Sequence, residues 1–223
     1  IELPPVECLE IRDICFSRSA SIDEPGFVVG PISATFLRGQ ITFIEGGNGS
    51  GKTTLARLVT GLYTASSGEL LVNGISVSNE HLPSYRQYFG VVFSDNHLFR
   101  KPYGLGSDQI EILKENIRLL GIEHCCPKNL EHDLEPERLS TGQRKRLALA
   151  LLLVEDRPIM IFDEWAADQD PQFREIFYRQ LLPRLRSMGK IIVAITHDDR
   201  YFDLADQRYH MEDGKMNLVK FNE

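Results

Sequence analysis

The sequence predicts an α/β domain built on a mainly parallel sheet covered on both faces. Three observations carry that reading. Short apolar runs recur at 41–44, 89–93, 159–162 and 190–195, the pattern of strands buried on both sides. Helix-like stretches alternate with them, as parallel βαβ units require. The run Ile41-Thr42-Phe43-Ile44 also leads into Gly46-Gly47-Asn48-Gly49-Ser50-Gly51-Lys52-Thr53-Thr54, a glycine-rich loop that opens a helix at Leu55-Ala56-Arg57-Leu58-Val59. At 223 residues the chain makes one domain over 1–223, with a helical subdomain of about 96–155 inserted in the core.

Residues 6–13 alternate as Leu9-Glu10-Ile11-Arg12 and read as a half-exposed strand. Residues 27–36 are strand-like, with Gly30-Pro31 forcing an irregularity because proline offers no N–H to a ladder. Arg38-Gly39-Gln40 turns the chain into the strand before the glycine loop. Residues 68–72 form another strand, ending in an Asn73-Gly74 turn. Beyond residue 96 the composition becomes more charged. Ile110, Leu113, Ile117 and Leu120 fall on one face of a helix over 108–120. Helices follow at 141–155 and 171–188 around the strand at 159–162, then a strand at 190–195 and a hairpin across Asp213-Gly214. There is no internal repeat.

Bulk properties exclude some functions. The net charge of −7 argues against a nucleic-acid partner, which calls for a basic face. Cys8, Cys15, Cys125 and Cys126 lack metal-ligand spacing and read as reduced thiols of a cytosolic compartment. No apolar stretch approaches the ~20 residues that cross a bilayer. The chain starts at Ile1 without a signal-peptide pattern, as expected of a piece cut from something longer.

The chemistry is concentrated in two places. The glycine loop fits G-x-x-x-x-G-K-[ST]: its N–H groups and the helix N-terminus make an anion cradle, Lys52 reaches β- and γ-phosphates, and the Thr53 hydroxyl ligates Mg²⁺. A chance glycine turn would lack both the strand before and the helix after. Ile159-Met160-Ile161-Phe162-Asp163-Glu164 delivers two carboxylates at the C-terminal end of a buried strand, where open α/β sheets bind ligands. Asp163 suits the metal and Glu164 the attacking water. The bland alternative is that both merely cap the helix starting near Pro171.

A third segment, Leu139-Ser140-Thr141-Gly142-Gln143-Arg144, resembles the LSGGQ signature of the ABC ATPases, with Thr141 in place of the first glycine. The whole chain is similar to that family in motif order. Asp170 corresponds to its D-loop aspartate and His197, after the last core strand, to its switch histidine. The resemblance implies a P-loop NTPase (RecA-like) core, an antiparallel β subdomain and a helical signature subdomain. It also implies an ATPase using ATP and Mg²⁺. ATP would be sandwiched in a head-to-tail homodimer in which Ser140, Thr141, Gly142 and Gln143 close over the partner's γ-phosphate, with Asp170 crossing the interface and His197 contacting the γ-phosphate.

Two positions depart from the family pattern. Ser94-Asp95 stands where a glutamine usually contacts Mg²⁺, the lytic water and the membrane partner; the Ser94 hydroxyl reaches less far, and Asp95 could add charge. Arg18 occupies the position of the usual adenine-stacking tyrosine, with Phe27 as an alternative platform, since a guanidinium also stacks on a base. The runs 91–99, 139–148 and 163–171 are similar to those of bacterial cyclic-peptide and siderophore exporters. That resemblance implies a fused N-terminal membrane domain, export of a peptide or siderophore-like substrate, and a place on the cytoplasmic face of the inner membrane. Leu98, Phe99 and Tyr103 are candidates for docking that domain, local core packing being the alternative. A non-transport ABC ATPase of translation or DNA repair is the competing class. One cassette and the short spacing between glycine loop and signature disfavour it. A P-loop kinase of small molecules would need neither signature nor switch histidine.

Overall fold

The computed structural model describes residues 5–18, 26–95, 97–127, 129–131 and 133–219; Ile1 and Asn96, invoked above, lie outside them. Strands β1 (Cys8–Arg18) and β2 (Phe27–Leu37) pair antiparallel, and β3 (Ile41–Glu45) leads into α1 (Lys52–Val59). β4 (Ser67–Val72) and β5 (Ile75–Ser76) form a hairpin; its Asn73 and Gly74 both have positive φ (51° and 77°), as a type I′ turn requires. A short α2 (Leu82–Arg86) precedes β6 (Phe89–Val92). Then come α3 (Ser107–Leu119), α4 (Thr141–Glu155), β7 (Ile159–Asp163), α5 (Pro171–Ile176) and α6 (Leu182–Ser187). β8 (Ile191–Ile195), β9 (Gln207–Glu212) and β10 (Lys215–Leu218) finish the fold.

Two sheets result. The central one runs β10-β9-β3-β8-β7-β6, parallel except for the β9–β10 hairpin; the other, β2-β1-β4-β5, is antiparallel. Register in the central sheet fixes the geometry of everything that follows. Ile44 of β3 and Asp163 of β7 both align with Ile195 of β8, and Val92 of β6 aligns with Phe162. The segments that leave β3, β6, β7 and β8 therefore emerge side by side at one edge.

Strand alternation divides the core in two. Phe43, Met160, Phe162, Ile192 and Ala194 face α3, α4 and the helices after β7. Ile44, Ile159, Ile161, Val193 and Ile195 face α1 and the antiparallel sheet. Each fully buried aliphatic side chain of this kind contributes about 1.5–3 kcal/mol. Ile110, Leu113, Ile117 and Leu120 are all buried, so the predicted face of α3 is its inner one.

Three elements differ from expectation. β1 does not end at Asp13; the register slips between Ile11 and Ile14 and the strand continues to Arg18. Asp13 takes positive φ (47°) at this bulge, and Ser33 Oγ both accepts from its N–H (2.9 Å) and donates to its carboxylate (3.0 Å). The helix expected over 171–188 is broken by a π segment, Phe177–Leu181, between α5 and α6. Pro183 cannot donate to the carbonyl one turn back, and the wider turn absorbs that loss. Lys190 lies just before β8, its buried ammonium donating to Asp156 O (2.8 Å) rather than leading a strand.

Candidate nucleotide site

The loop 46–51 follows β3 and is shaped by glycine at two critical points. Gly46 has φ 142°, and a Cβ there would lie 2.0 Å from Met211 O. Gly51 (φ 107°) caps α1 and would drive a Cβ to 2.8 Å from Met211 Cε and 3.3 Å from Phe27 Cζ. The result is a cleft of about 380 Å³ lined by Phe27, Asn48, Gly49, Gly51, Lys52, Thr53, Thr54 and Glu164. Lys52 is buried, and its ammonium donates to Gly46 O (2.8 Å) and Gly47 O (2.9 Å) while lying 3.7 Å from Glu164 Oε1. The Ser50 hydroxyl is buried without a partner among the described residues.

Asp163, 0% exposed, ends β7 beside this loop. Its Oδ2 accepts from the hydroxyls of Thr53 (2.9 Å) and Ser94 (3.1 Å). Its Oδ1 has no hydrogen-bond partner among the described residues. Burial pushes the carboxyl above the usual aspartate range, against the opposing pull of the Thr53 and Ser94 hydrogen bonds. A buried carboxylate oxygen with free lone pairs, beside two hydroxyls, is a donor set that suits Mg²⁺. Ser94 thus lies against Asp163. Asp95 does not: its carboxylate pairs with Arg57 (2.8 Å), whose guanidinium also stands 5.7 Å over the Phe93 ring. The charge that the sequence offered to the metal is spent on this clamp.

Glu164 follows in a left-handed conformation (φ 51°, ψ 34°), which costs an L-residue roughly 1–2 kcal/mol. Its N–H donates to Ile195 O (3.1 Å), and its Oε1 lies 3.1 Å from His197 Nε2. Both side chains also line a second cleft of about 290 Å³, with Ala166, Ala167, Arg174, Tyr178 and Asp198. Lys52, Thr53, Ser94, Asp163, Glu164 and His197 thus converge from four strand ends.

Ser140, Thr141, Gly142 and Gln143 stand apart from this cluster. Ser140 caps α4: its Oγ accepts from Gln143 N (3.3 Å) and Gln143 Oε1 accepts from Ser140 N (2.9 Å). Ser140 and Thr141 are exposed, and among the described residues no hydrogen bond joins this segment to the loop 46–51. Asp170 caps α5 by accepting from Phe173 N (3.1 Å) and takes a second bond from Arg146 (2.6 Å). These bonds hold it below the usual carboxylate range.

The two adenine candidates are cross-strand partners, Arg18 on β1 opposite Phe27 on β2. Phe27 lines the cleft beside Gly51. Phe16, two residues before Arg18, stacks on Tyr63 with centroids 5.2 Å apart. Phe99 and Tyr103 are 67% and 73% exposed, which removes core packing as their role, whereas Leu98 packs partly against the core. Sequence reasoning missed Arg57 and Lys145, which make their contacts to segments far along the chain. The one available signal was a lysine two residues before the apolar run that starts at Leu147.

Comparison with known proteins gives a consistent picture. The family model described as ABC transporter matches residues 29–167. The chain is 39% identical over 218 residues to the ATP-binding protein SyrD of Pseudomonas syringae pv. syringae, covering 92% of this chain and 37% of that protein. It is 28% identical over 216 residues to the energy-coupling factor transporter ATP-binding protein EcfA1 of Mycoplasma mobile, covering 93% of this chain and 78% of the relative. The dimeric structure of MJ0796, a bacterial ABC transporter cassette, superposes with a TM-score of 0.79 at 18% identity, covering 96% of this chain and all of that one, a likeness of fold. Among the described residues no helix is long and apolar enough to cross a membrane.

Proposed function

The chain belongs to the ABC transporter family as an ATP-binding, ATP-hydrolysing domain, and from that premise we propose that it powers export of a peptide or siderophore-like substrate. The observation that carries the catalytic part is the convergence of Thr53, Ser94, Asp163, Glu164 and His197 at one sheet edge beside the glycine loop. In this reading Lys52 and the loop N–H groups, with Gly46, Gly47, Asn48, Gly49, Ser50, Gly51 and Thr54, hold the ATP phosphates. Thr53 and Asp163 hold Mg²⁺, with Ser94 supporting it, and the metal neutralises phosphate charge. Glu164 polarises the attacking water, and His197 contacts the γ-phosphate while restraining the Glu164 carboxylate.

The signature residues Ser140, Thr141, Gly142 and Gln143 act in a second copy of the chain. Their exposure, and the lack of a described bond to the loop of their own chain, support that assignment, as does the dimeric state of a cassette with this fold. ATP is then the bridge that closes the homodimer, and hydrolysis reopens it. In this scheme Asp170, half exposed while bonded to Arg146, crosses the interface.

The membrane domain is the second partner. Phe99 and Tyr103 pack edge to face at 6.1 Å beside a cleft of about 610 Å³ that also involves His97, Leu98, Arg100, Pro136, Glu137 and Arg144. Two exposed aromatics over a mixed cleft suit an inserted helix end of a membrane domain at the cytoplasmic face of the bacterial inner membrane. The chain spans 37% of the length of the SyrD relative, which leaves room there for such a domain on one polypeptide. Export, rather than uptake, rests on the resemblance of 91–99, 139–148 and 163–171 to exporters. The test is transport by the full-length protein in inverted vesicles. Accumulation of a cyclic peptide that needs ATP and is lost in Glu164→Gln supports the proposal; ATP-driven movement in the opposite direction overturns it.

A further inference from the structure

Lys145 sits on α4, one turn after Ser140, and is 2% exposed. Its ammonium donates to the backbone O of Glu164 (2.9 Å) and pairs with Asp168 Oδ2 (2.7 Å). In return the Lys145 carbonyl accepts from Trp165 Nε1 (2.8 Å), with the Trp165 side chain stacked on Phe177. Arg146 continues the same seam, donating to Gln169 Oε1 (2.7 Å) and Asp170 Oδ2 (2.6 Å). Residues 164–170 are thus fastened to one side of α4.

Burying an ammonium is expensive, and a helix rich in leucine could have packed here without one. What the ammonium does that a leucine cannot is fix a carbonyl. Glu164 is a non-glycine residue with left-handed backbone geometry, a conformation that persists only where its surroundings impose it. Ile195 O holds its N–H and Lys145 holds its C=O, so its backbone is pinned from β8 on one side and α4 on the other. Among the described residues the carboxylate touches His197 and Lys52, groups that a bound phosphate would also engage. The two backbone pins do not depend on those side-chain contacts.

We propose that Lys145 is a positioning residue that aims Glu164 at the attacking water by clamping its backbone carbonyl. Lys145 touches no substrate; it acts through Glu164, and the inference rests on the reading of Glu164 as the group that polarises water.

The test is MgATP turnover of the chain over a range of ATP concentrations, with thermal melting as a check on folding. The variants are Lys145→Met, Lys145→Met/Asp168→Leu, Glu164→Gln and Glu164→Gln/Lys145→Met. The second replaces the ion pair by apolar neighbours, which spares Asp168 an unmatched charge. Lys145→Met and its double variant are expected to lower kcat about 10-fold to 10²-fold, the usual consequence of misplacing a catalytic group, with KM within about twofold. In the Glu164→Gln background the same change at Lys145 is expected to have no further effect, because there is no carboxylate left to aim. A folded double variant with wild-type kcat overturns the proposal, as does an equal loss in both backgrounds, which would mark a general packing role. Wild-type turnover in Glu164→Gln alone would instead remove the premise about Glu164, and the inference with it.

Discussion

The Thr53 hydroxyl donates to Asp163 Oδ2 across 2.9 Å, although 110 positions separate the two in sequence. That bond joins the end of the glycine loop to the end of β7. It leaves Asp163 Oδ1 unpartnered among the described residues, in a place fit for a divalent cation.

Asp163 makes a pH prediction with a definite sign. Its carboxyl titrates above the usual aspartate range because it is buried, so a proton competes with Mg²⁺ at a higher pH than for an exposed aspartate. Thermal stabilisation by MgATP should therefore begin to fade at a higher pH than it would for an exposed aspartate. For the chain without nucleotide the sign reverses. A folded pKa above the unfolded one means stability present below the unfolded pKa and lost as pH rises through the folded one. Asp163→Asn should accordingly melt no lower than wild type at neutral pH while losing the Mg²⁺-dependent gain. A lower melting temperature without ligand contradicts this.

Lys52→Ala removes the ammonium that lies between Gly46 O, Gly47 O and Glu164. Turnover should fall by about 10² or more, since among the described residues Lys52 is the ammonium that lines the cleft beside the loop. Near-normal hydrolysis in a steady-state phosphate-release assay contradicts the phosphate-loop assignment.

Ser94→Gln lengthens the side chain that bonds Asp163 at 3.1 Å. The amide keeps a donor for Asp163 and gains reach toward a metal-bound water, so turnover should stay level or rise. Complete loss in the same assay would mean that the Ser94 hydroxyl has a role of its own.

Phe27 and Arg18 can be separated by affinity. Base–aromatic stacking is worth about 1–3 kcal/mol, or about 5- to 150-fold in Kd, so Phe27→Ala should weaken ATP by an amount in that range. Arg18→Ala should weaken it less, because Phe27 lines the cleft next to Gly51. The reverse order in a titration with a fluorescent ATP analogue assigns the base to Arg18.

Much of the site could be read from the chain because its parts are local. The strand–glycine–helix order around Lys52, the two acids after a four-residue apolar run, and the Ser140–Gln143 spacing of a capping box are each set by neighbours a few positions apart. What could not be read depends on distant partners. Lys145 finds Asp168 and the Glu164 carbonyl only after α4 packs on the loop that follows β7. Asp95 pairs with Arg57 of α1, a partner 38 positions away that no local pattern announces. The π segment before Pro183 and the bulge at Asp13 are local adjustments that periodicity averages away.

The central claim is that ATP bridges two copies of the chain through Ser140–Gln143. Glu164→Gln, expected to lose roughly 10²-fold or more in hydrolysis while still binding ATP, is the form that should accumulate that bridge. Light scattering of this variant with and without MgATP measures it directly. The account predicts a shift from the mass of one 25.4 kDa chain to that of two on adding ATP, reversed by Ser140→Arg. A variant that binds ATP with full affinity yet stays monomeric at every accessible concentration would contradict it.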